Sequence, residues 1–220
     1  MKLLIADDHP IFRSGLKDIL VHAYPNAIIL ECPNGQEALD TIRKEQPEIS
    51  ILDINMPLMD GLDVCRQVHK ENLKTQIIIL TMYREKEMIK KAMLSGASGY
   101  ILKDFAVDEL IECIAKVRSN EKYIGPALHP MYTDMLQLDK KKQELITLLE
   151  GLTQAELKTL KLVSQNKSTK EMAELLFLSE KTIENYRSKV CQKLGLPPRN
   201  NSLLLWISEN RELLSSTSEF

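Results

Sequence analysis

The residues best placed to do chemistry each end a short apolar run. Asp7-Asp8 follows residues 3–6, Asp53 follows 49–52, Thr81 follows 77–80 and Lys103 follows 100–102. Three carboxylates crowded together repel one another and call for a cation. An oxygen-only set suits Mg2+, which keeps part of its hydration shell. A carboxylate beside such a cation can act as nucleophile toward a phosphoryl group. The metal and a lysine can stabilise charge on the transferring oxygens, and a threonine hydroxyl can hydrogen-bond the phosphate that results. A single acid at a strand end is often a simple cap. It is the set, delivered by several elements, that points to chemistry.

The elements that would gather these residues are legible. The runs 3–6, 27–30, 49–52, 77–80 and 100–102 are continuous rather than alternating, as strands buried on both faces read. Segments with helical spacing separate them: Phe12, Leu16, Ile19 and Leu20; Ala38, Leu39 and Ile42; Leu62, Val64, Cys65 and Val68; Met88, Ile89, Ala92 and Met93; then Val107, Leu110, Ile111, Ile114 and Val117. Five βα units in residues 1–118 predict an α/β domain, a five-stranded parallel sheet covered by helices on both faces. Ligands of such a sheet bind outside the carboxyl ends of its strands, where strand order reverses.

The remainder changes character. Residues 119–147 read as a hinge and a linker with an amphipathic helix, in which Lys140-Lys141-Lys142 reads as a solvated face, with a DNA contact as the alternative. Residues 148–213 read as four helices, and 214–220 as a frayed tail. Thr153 with Glu156 forms a capping box, Ser179 caps the third helix, and Gly195 with Pro197-Pro198 ends it. The net charge of −2 excludes nothing by itself. Its distribution is more telling: residues 151–200 carry nine Lys/Arg against five Asp/Glu, whereas residues 1–120 carry 15 against 18. Two domains with different partners are expected. The four cysteines are scattered, which argues against zinc and for reduced, partly buried thiols. With no signal peptide and no run long enough to span a bilayer, a soluble cytoplasmic protein without membrane contact is expected.

Asp7-Asp8, the string Asp53-Ile54-Asn55-Met56-Pro57-Leu58-Met59-Asp60-Gly61, Thr81, and Gly96-Ala97-Ser98-Gly99-Tyr100-Ile101-Leu102-Lys103 together resemble a two-component response-regulator receiver. The likeness covers residues 1 to about 118. It implies a flavodoxin-like (βα)5 fold with strand order 2-1-3-4-5, and a phosphoryl group accepted on Asp53 from a sensor histidine kinase. It further implies Mg2+ held by Asp8, Asp53 and the Asn55 carbonyl, with Asp7 reaching it through water. Thr81 and Tyr100 would form the switch pair, beside Lys103; Tyr100 can also be read as a packed aromatic. Met82 departs from the small residue many receivers carry there, which implies restricted access to the pocket.

The second and third helices of the C-terminal part, with Lys181, Arg187, Lys189 and Lys193, fit a helix-turn-helix. Leu152-Thr153-x-x-Glu156, Ser168-x-Lys170-Glu171-Met172-Ala173, Leu178-Ser179-x-x-Thr182-Ile183-Glu184-Asn185-Tyr186 and Lys193-Leu194-Gly195 resemble the LuxR-type domain of the NarL/FixJ subfamily. Asn166 stands where a turn glycine is usual and Tyr186 where a histidine is. On the helix starting at Glu180, Ile183, Val190 and Leu194 should pack inward. Glu184, Asn185 and Ser188 should meet bases, and Lys181, Thr182, Arg187, Lys189 and Lys193 should face phosphates. Glu184 can alternatively pair with Lys181 or Lys189. The five apolar residues 203–207 exceed one stripe of a short helix, so some must cover a partner or the receiver. Leu203, Leu204, Trp206 and Ile207 are expected at a homodimer contact, unless all five fill the domain's own core.

The expected function is that of a DNA-binding transcriptional response regulator, not an enzyme. Its expected partners are a sensor histidine kinase, a double-stranded DNA operator and a second copy of itself, with Mg2+ as cofactor. Other readings are a phosphorylation-independent dimerisation module, an aspartyl-phosphate phosphohydrolase on a similar sheet, and a nucleotide-binding sensor. The phosphohydrolase normally wants Asp-x-Asp on the first strand, where this chain has adjacent acids. The sensor lacks a G-x-G-x-x-G after strand one.

Overall fold

Residues 3–6 are apolar without alternation because both sides of β1 (Lys2–Ala6) are covered. Leu3 and Ile5 pack with Leu16 and Leu20 of α1 (Pro10–Ala23) and with Leu110 and Ile114 of α5 (Ala106–Arg118). Leu4 and Ala6 point the other way, into the cluster of Ala38, Leu39 and Ile42 from α2 (Gly35–Glu45) and Val64 and Val68 from α3 (Gly61–Lys70). Each Leu or Ile removed from water this way contributes ~1.5–3 kcal/mol. The same two-sided burial holds for β3 (Ile49–Leu52), β4 (Gln76–Thr81) and β5 (Gly99–Leu102), with α4 (Lys86–Leu94) between the last two. This computed structural model describes residues 1–197, 199 and 201–215. Pro198 and residues 216–220 of the expected tail lie outside the described residues.

The sheet is parallel throughout, in the order β2-β1-β3-β4-β5-β6, with β2 at Ile28–Cys32. The expected order of the first five strands is observed. A sixth strand, β6 (Tyr123–Ile124), extends the sheet beyond the five expected, pairing Tyr123 with Gly99 and Ile124 with Tyr100. Two residues make too short an apolar run to stand out, yet both are buried. Order reverses at β1, which has β2 on one side and β3 on the other. The crevice at that reversal opens where Asp7, Asp8 and Asp53 leave their strands.

The chain divides into two compact units, Met1–Met135 and Leu136 onward. The division falls within α6 (His129–Glu150). The second unit is helical: α7 (Gln154–Ser164), α8 (Thr169–Leu176), α9 (Glu180–Lys193), α10 (Ser202–Glu209) and a short α11 (Arg211–Ser215). Its core gathers Leu145 and Leu149 from α6, Leu160, Val163, Met172, Ile183, Val190, Leu203 and Trp206, so α6 and α11 add to the four expected helices. Capping boxes open α7 (Thr153/Glu156) and α8 (Ser168/Glu171), and the Ser179 hydroxyl accepts from the Thr182 N–H at the start of α9. Asn166 takes the left-handed conformation at φ 58°, as Asn tolerates, and Gly195 ends α9 at φ 67°. Phe177, between α8 and α9, also sits at φ 56°. Among the described residues, no helix is long and apolar enough to cross a membrane.

Candidate functional site

Three strand ends deliver the acidic pocket. Asp53 leaves β3 with its N–H donating to the Ala6 carbonyl at 2.9 Å, which holds it beside the end of β1. Its Oδ1 accepts from the Ile54 N–H at 2.8 Å, and its Oδ2 accepts from Lys103 Nζ at 2.8 Å. The same ammonium lies 2.7 Å from Asp7 Oδ2 and 4.9 Å from the centroid of the Phe12 ring. Asp7 and Asp53 are 2% and 4% exposed, so two buried carboxylates share one cation. Burial pushes the Asp53 carboxyl above its ordinary range, with Lys103 pulling against it. Burial alone would lower Lys103, but Asp53 and then Asp7 hold it above its ordinary value.

Asp8 is partly exposed at the mouth, with its Oδ1 2.7 Å from His9 Nδ1. His9 also donates its backbone N–H to Asp7 Oδ1 at 2.9 Å. One ligand atom each from Asp7, Asp8, His9 and Asp53 lie within 4.8 Å of one another. Three carboxylates against one ammonium leave uncompensated negative charge, and apart from the His9 nitrogen the donors are hard oxygens. That set fits Mg2+.

The walls are braced by backbone. Gly61 donates to the Ile54 carbonyl at 2.9 Å, and a Cβ on it would lie 2.0 Å from the Asp53 carbonyl oxygen. Only glycine lets α3 begin so close to the acid. The Asn55 side chain is engaged by Tyr83: its amide straddles the phenol oxygen, at 2.9 Å from Nδ2 and 3.1 Å from Oδ1. Tyr83 also ties the expected switch pair together. Its N–H donates to the buried Thr81 Oγ1 at 3.3 Å, and its carbonyl accepts from the Tyr100 hydroxyl at 2.9 Å. Tyr100 is fully buried, and burial raises its phenol far above the usual range. Met82 is largely exposed.

On α9 the three faces separate. Ile183, Val190 and Leu194 are buried, while Lys181, Glu184, Asn185, Ser188 and Lys189 are exposed. Thr182, Tyr186 and Arg187 are half-buried. Glu184 pairs with Lys181 at 3.3 Å, and Arg187 Nη1 donates to Thr169 Oγ1 at 3.1 Å. A cavity of about 730 Å³ runs beside this helix, lined in part by Lys167, Ser168, Thr169, Arg187, Ser188 and Arg199. Lys193 points elsewhere, to Glu156 Oε2 at 2.7 Å and the Gly151 carbonyl at 3.0 Å.

The expected dimer residues need correction. Leu203, Trp206 and Ile207 are buried within the second unit's own core, because i, i+3 and i+4 fall on the stripe of α10 that faces it. Leu204 alone of the four reaches the surface, beside Leu205.

Residues 3–115 match the family model of the response regulator receiver domain, and residues 150–205 match that of bacterial regulatory proteins of the luxR family. The chain belongs to the response regulators with a LuxR-type DNA-binding domain. It is 32% identical over 212 residues to the uncharacterized transcriptional regulatory protein YhcZ of Bacillus subtilis (strain 168), covering 96% of this chain and 97% of that protein. It is 27% identical over 209 residues to the nitrate/nitrite response regulator protein NarL of Escherichia coli (strain K12), covering 95% of each. The solved Salmonella typhimurium RcsB response regulator shares the fold, with a TM-score of 0.57 at 22% identity over 94% of this chain and 98% of that one. The family regulates transcription.

Several residues of this response regulator escaped the sequence reading. Tyr83 joins Asn55, Thr81 and Tyr100, and Phe12 supports Lys103 with its ring. Tyr83 carries no spacing signal, and the helical spacing of Phe12 marked it as an apolar face residue without showing that it meets Lys103. His9 was visible beside the two acids, and Lys167 and Arg199 were visible as cations; nothing local showed what they face.

Proposed function

We propose that this response regulator is switched by a phosphoryl group on Asp53, taken from the phosphohistidine of a sensor kinase. The observation that carries this is the Lys103 ammonium held between Asp7 and Asp53 in a buried pocket of the same chain that bears the helix-turn-helix. Mg2+ held by Asp8, Asp53 and the Asn55 carbonyl, with Asp7 reaching it through water, would neutralise charge on the transferring oxygens. An Asp53 carboxylate oxygen forms the new bond to phosphorus, the phosphorus–nitrogen bond breaks, and the electron pair stays on the kinase imidazole. Lys103 then pairs with the phosphoryl group instead of the bare carboxylate. The Thr81 hydroxyl leaves the Tyr83 N–H for a phosphoryl oxygen. Because Tyr83 also holds Tyr100 and Asn55, that movement changes the face beyond β5.

At DNA in the cytoplasm, α9 enters the major groove as part of a homodimer. Glu184, Asn185 and Ser188 lie toward base edges, and Lys181, Thr182, Arg187 and Lys189 toward phosphates. Leu204 and Leu205 supply the exposed apolar surface for the second copy. The test is enrichment of genomic DNA fragments by the wild-type chain and by Asp53→Asn, each with and without a small phosphodonor and Mg2+. The wild type should incorporate phosphate and enrich a defined sequence more strongly with the donor. Asp53→Asn should do neither, and labelling of Asp53→Asn to the wild-type extent overturns the assignment.

A further inference from the structure

Lys193 is the last residue of α9, some ~20 Å along the helix from Glu180 at 1.5 Å per residue. Its ammonium is already engaged. Nζ lies 2.7 Å from Glu156 Oε2 and 3.0 Å from the Gly151 carbonyl. Glu156 is 3% exposed, and the same Oε2 accepts from the Thr153 N–H at 2.8 Å to close the α7 capping box. Among the described residues, Lys193 is the side chain that forms an ion pair with Glu156. Drawing the ammonium off to a phosphate would leave a buried carboxylate with the Thr153 N–H but no counter-charge, which costs more than an exposed phosphate contact returns. Lys189, one turn earlier, is exposed and pairs with no carboxylate among the described residues.

We infer that Lys193 is a positioning residue for the recognition helix rather than a phosphate contact, clamping the C-terminal end of α9 to the turn between α6 and α7. The inference rests on the reading of α9 as the helix that enters DNA. The apolar face of α9, through Ile183 and Val190, sets which side of the helix faces inward but resists sliding along its axis only weakly. The directional pair at Lys193 restrains that freedom at the C-terminal end of the helix, as the Arg187–Thr169 hydrogen bond does at its middle. Burial alone would raise the Glu156 carboxyl. Lys193 and the Thr153 groups instead hold it below its ordinary value, as a persistent pair requires.

The experiment uses the full chain and the DNA fragments that the wild type enriches. Affinity is measured across a salt series for wild type, Lys193→Gln, Lys193→Arg, Glu156→Gln, the double variant Lys193→Gln/Glu156→Gln and Lys189→Ala, with thermal melting alongside. Lys193→Gln should bind about tenfold more weakly at every salt concentration, with the salt slope unchanged. Lys193→Arg should recover most of that loss. Glu156→Gln should show the same defect, and the double variant should be no worse than either single one. Lys189→Ala should lower the slope by about one unit. A Lys193→Gln slope lowered by one unit, or an affinity equal to wild type, overturns the clamp. If Lys193→Gln melts below the assay temperature, Lys193→Arg and Glu156→Gln decide by the same two criteria. A wild-type chain that enriches no DNA overturns the reading of α9 itself, a result separate from any of these.

Discussion

Lys103 and Asp53 stand 50 residues apart in the chain and 2.8 Å apart in the pocket. Burial raises the Asp53 carboxyl, and Lys103 is the strongest influence opposing that rise. Phosphoryl transfer needs the carboxylate, so the acid limb of the labelling profile reports this balance. In Lys103→Met the opposing charge is gone, the carboxyl climbs further, and the limb moves to higher pH than in wild type. Phosphate incorporation measured against pH checks the shift. The labelled variant should also give a weaker rise in DNA affinity than labelled wild type, because the phosphoryl group lacks its cation.

Gly61→Ala should damage the pocket from outside it. The added Cβ would meet the Asp53 carbonyl oxygen at 2.0 Å, and the backbone carrying each atom is held by a hydrogen bond, Gly61 to Ile54 and Asp53 to Ala6. The start of α3 must move, at a cost of about 1–3 kcal/mol. Denaturant unfolding should show that loss together with reduced labelling. Wild-type values for both would show that the close approach is dispensable.

Acid should act on the helix-turn-helix domain through its two capping boxes. Glu171 is held down to about 2 from an ordinary 4.5 by the Ser168 N–H, the Ser168 hydroxyl and Lys167. Glu156 is held below 4.5 as well. Both folded-state values are depressed, so their contribution is complete above pH 4.5 and fades as pH falls from there toward 2. Urea unfolding of the chain across that window should show a steeper decline for wild type than for the double variant Glu156→Gln/Glu171→Gln.

Base reading and phosphate contact on α9 separate by measurement. Asn185→Ala should relax sequence preference by ~1–3 kcal/mol per lost bidentate contact. Lys189→Ala should weaken all sequences alike and flatten the salt slope by about one unit. Glu184 already pairs with Lys181 in the free chain, so Glu184→Gln should alter preference less than Asn185→Ala. Enrichment profiles of the three variants decide.

On α10, adjacent residues should behave in opposite ways. Trp206→Ala empties part of the second unit's core and should cost ~3–5 kcal/mol. Leu205 is 61% exposed, so Leu205→Lys should leave stability within ~0.5 kcal/mol of wild type. It should nonetheless weaken cooperative filling of paired DNA half-sites. Unchanged cooperativity would place the dimer contact elsewhere.

β1, β3, β4, β5 and the acid set were legible because burial on both faces leaves unbroken apolar runs, each ending in the polar residue it presents. β2 also left an apolar run, but as an edge strand it is only partly covered, with Ile28 exposed, which corrects the expectation of burial on both faces. β6 was not legible, since Tyr123 and Ile124 are too few to make a pattern. On α10 the excess of apolar residues correctly signalled surface exposure. The choice among them failed, though the spacing of Leu203, Trp206 and Ile207 already marked the inward stripe. Lys193 read as one more cation because its partner, Glu156, lies 37 residues away. Tyr83 carries no mark at all: two of its three tethers are backbone groups, which any residue possesses.

The short sixth strand has a practical consequence for anyone taking the protein apart. Tyr123 donates to the Ser98 carbonyl and Gly125 to the Tyr100 carbonyl, each at 2.9 Å, so β5 is an interior strand. A receiver excised at residue 118 would turn β5 into a bare template for foreign strands, and would strip Ile124 and Leu128 from the hydrophobic layer that holds Tyr100. Self-association of such a fragment would report the scissors rather than the switch. An excision placed beyond Leu128 keeps the margin of the sheet sewn.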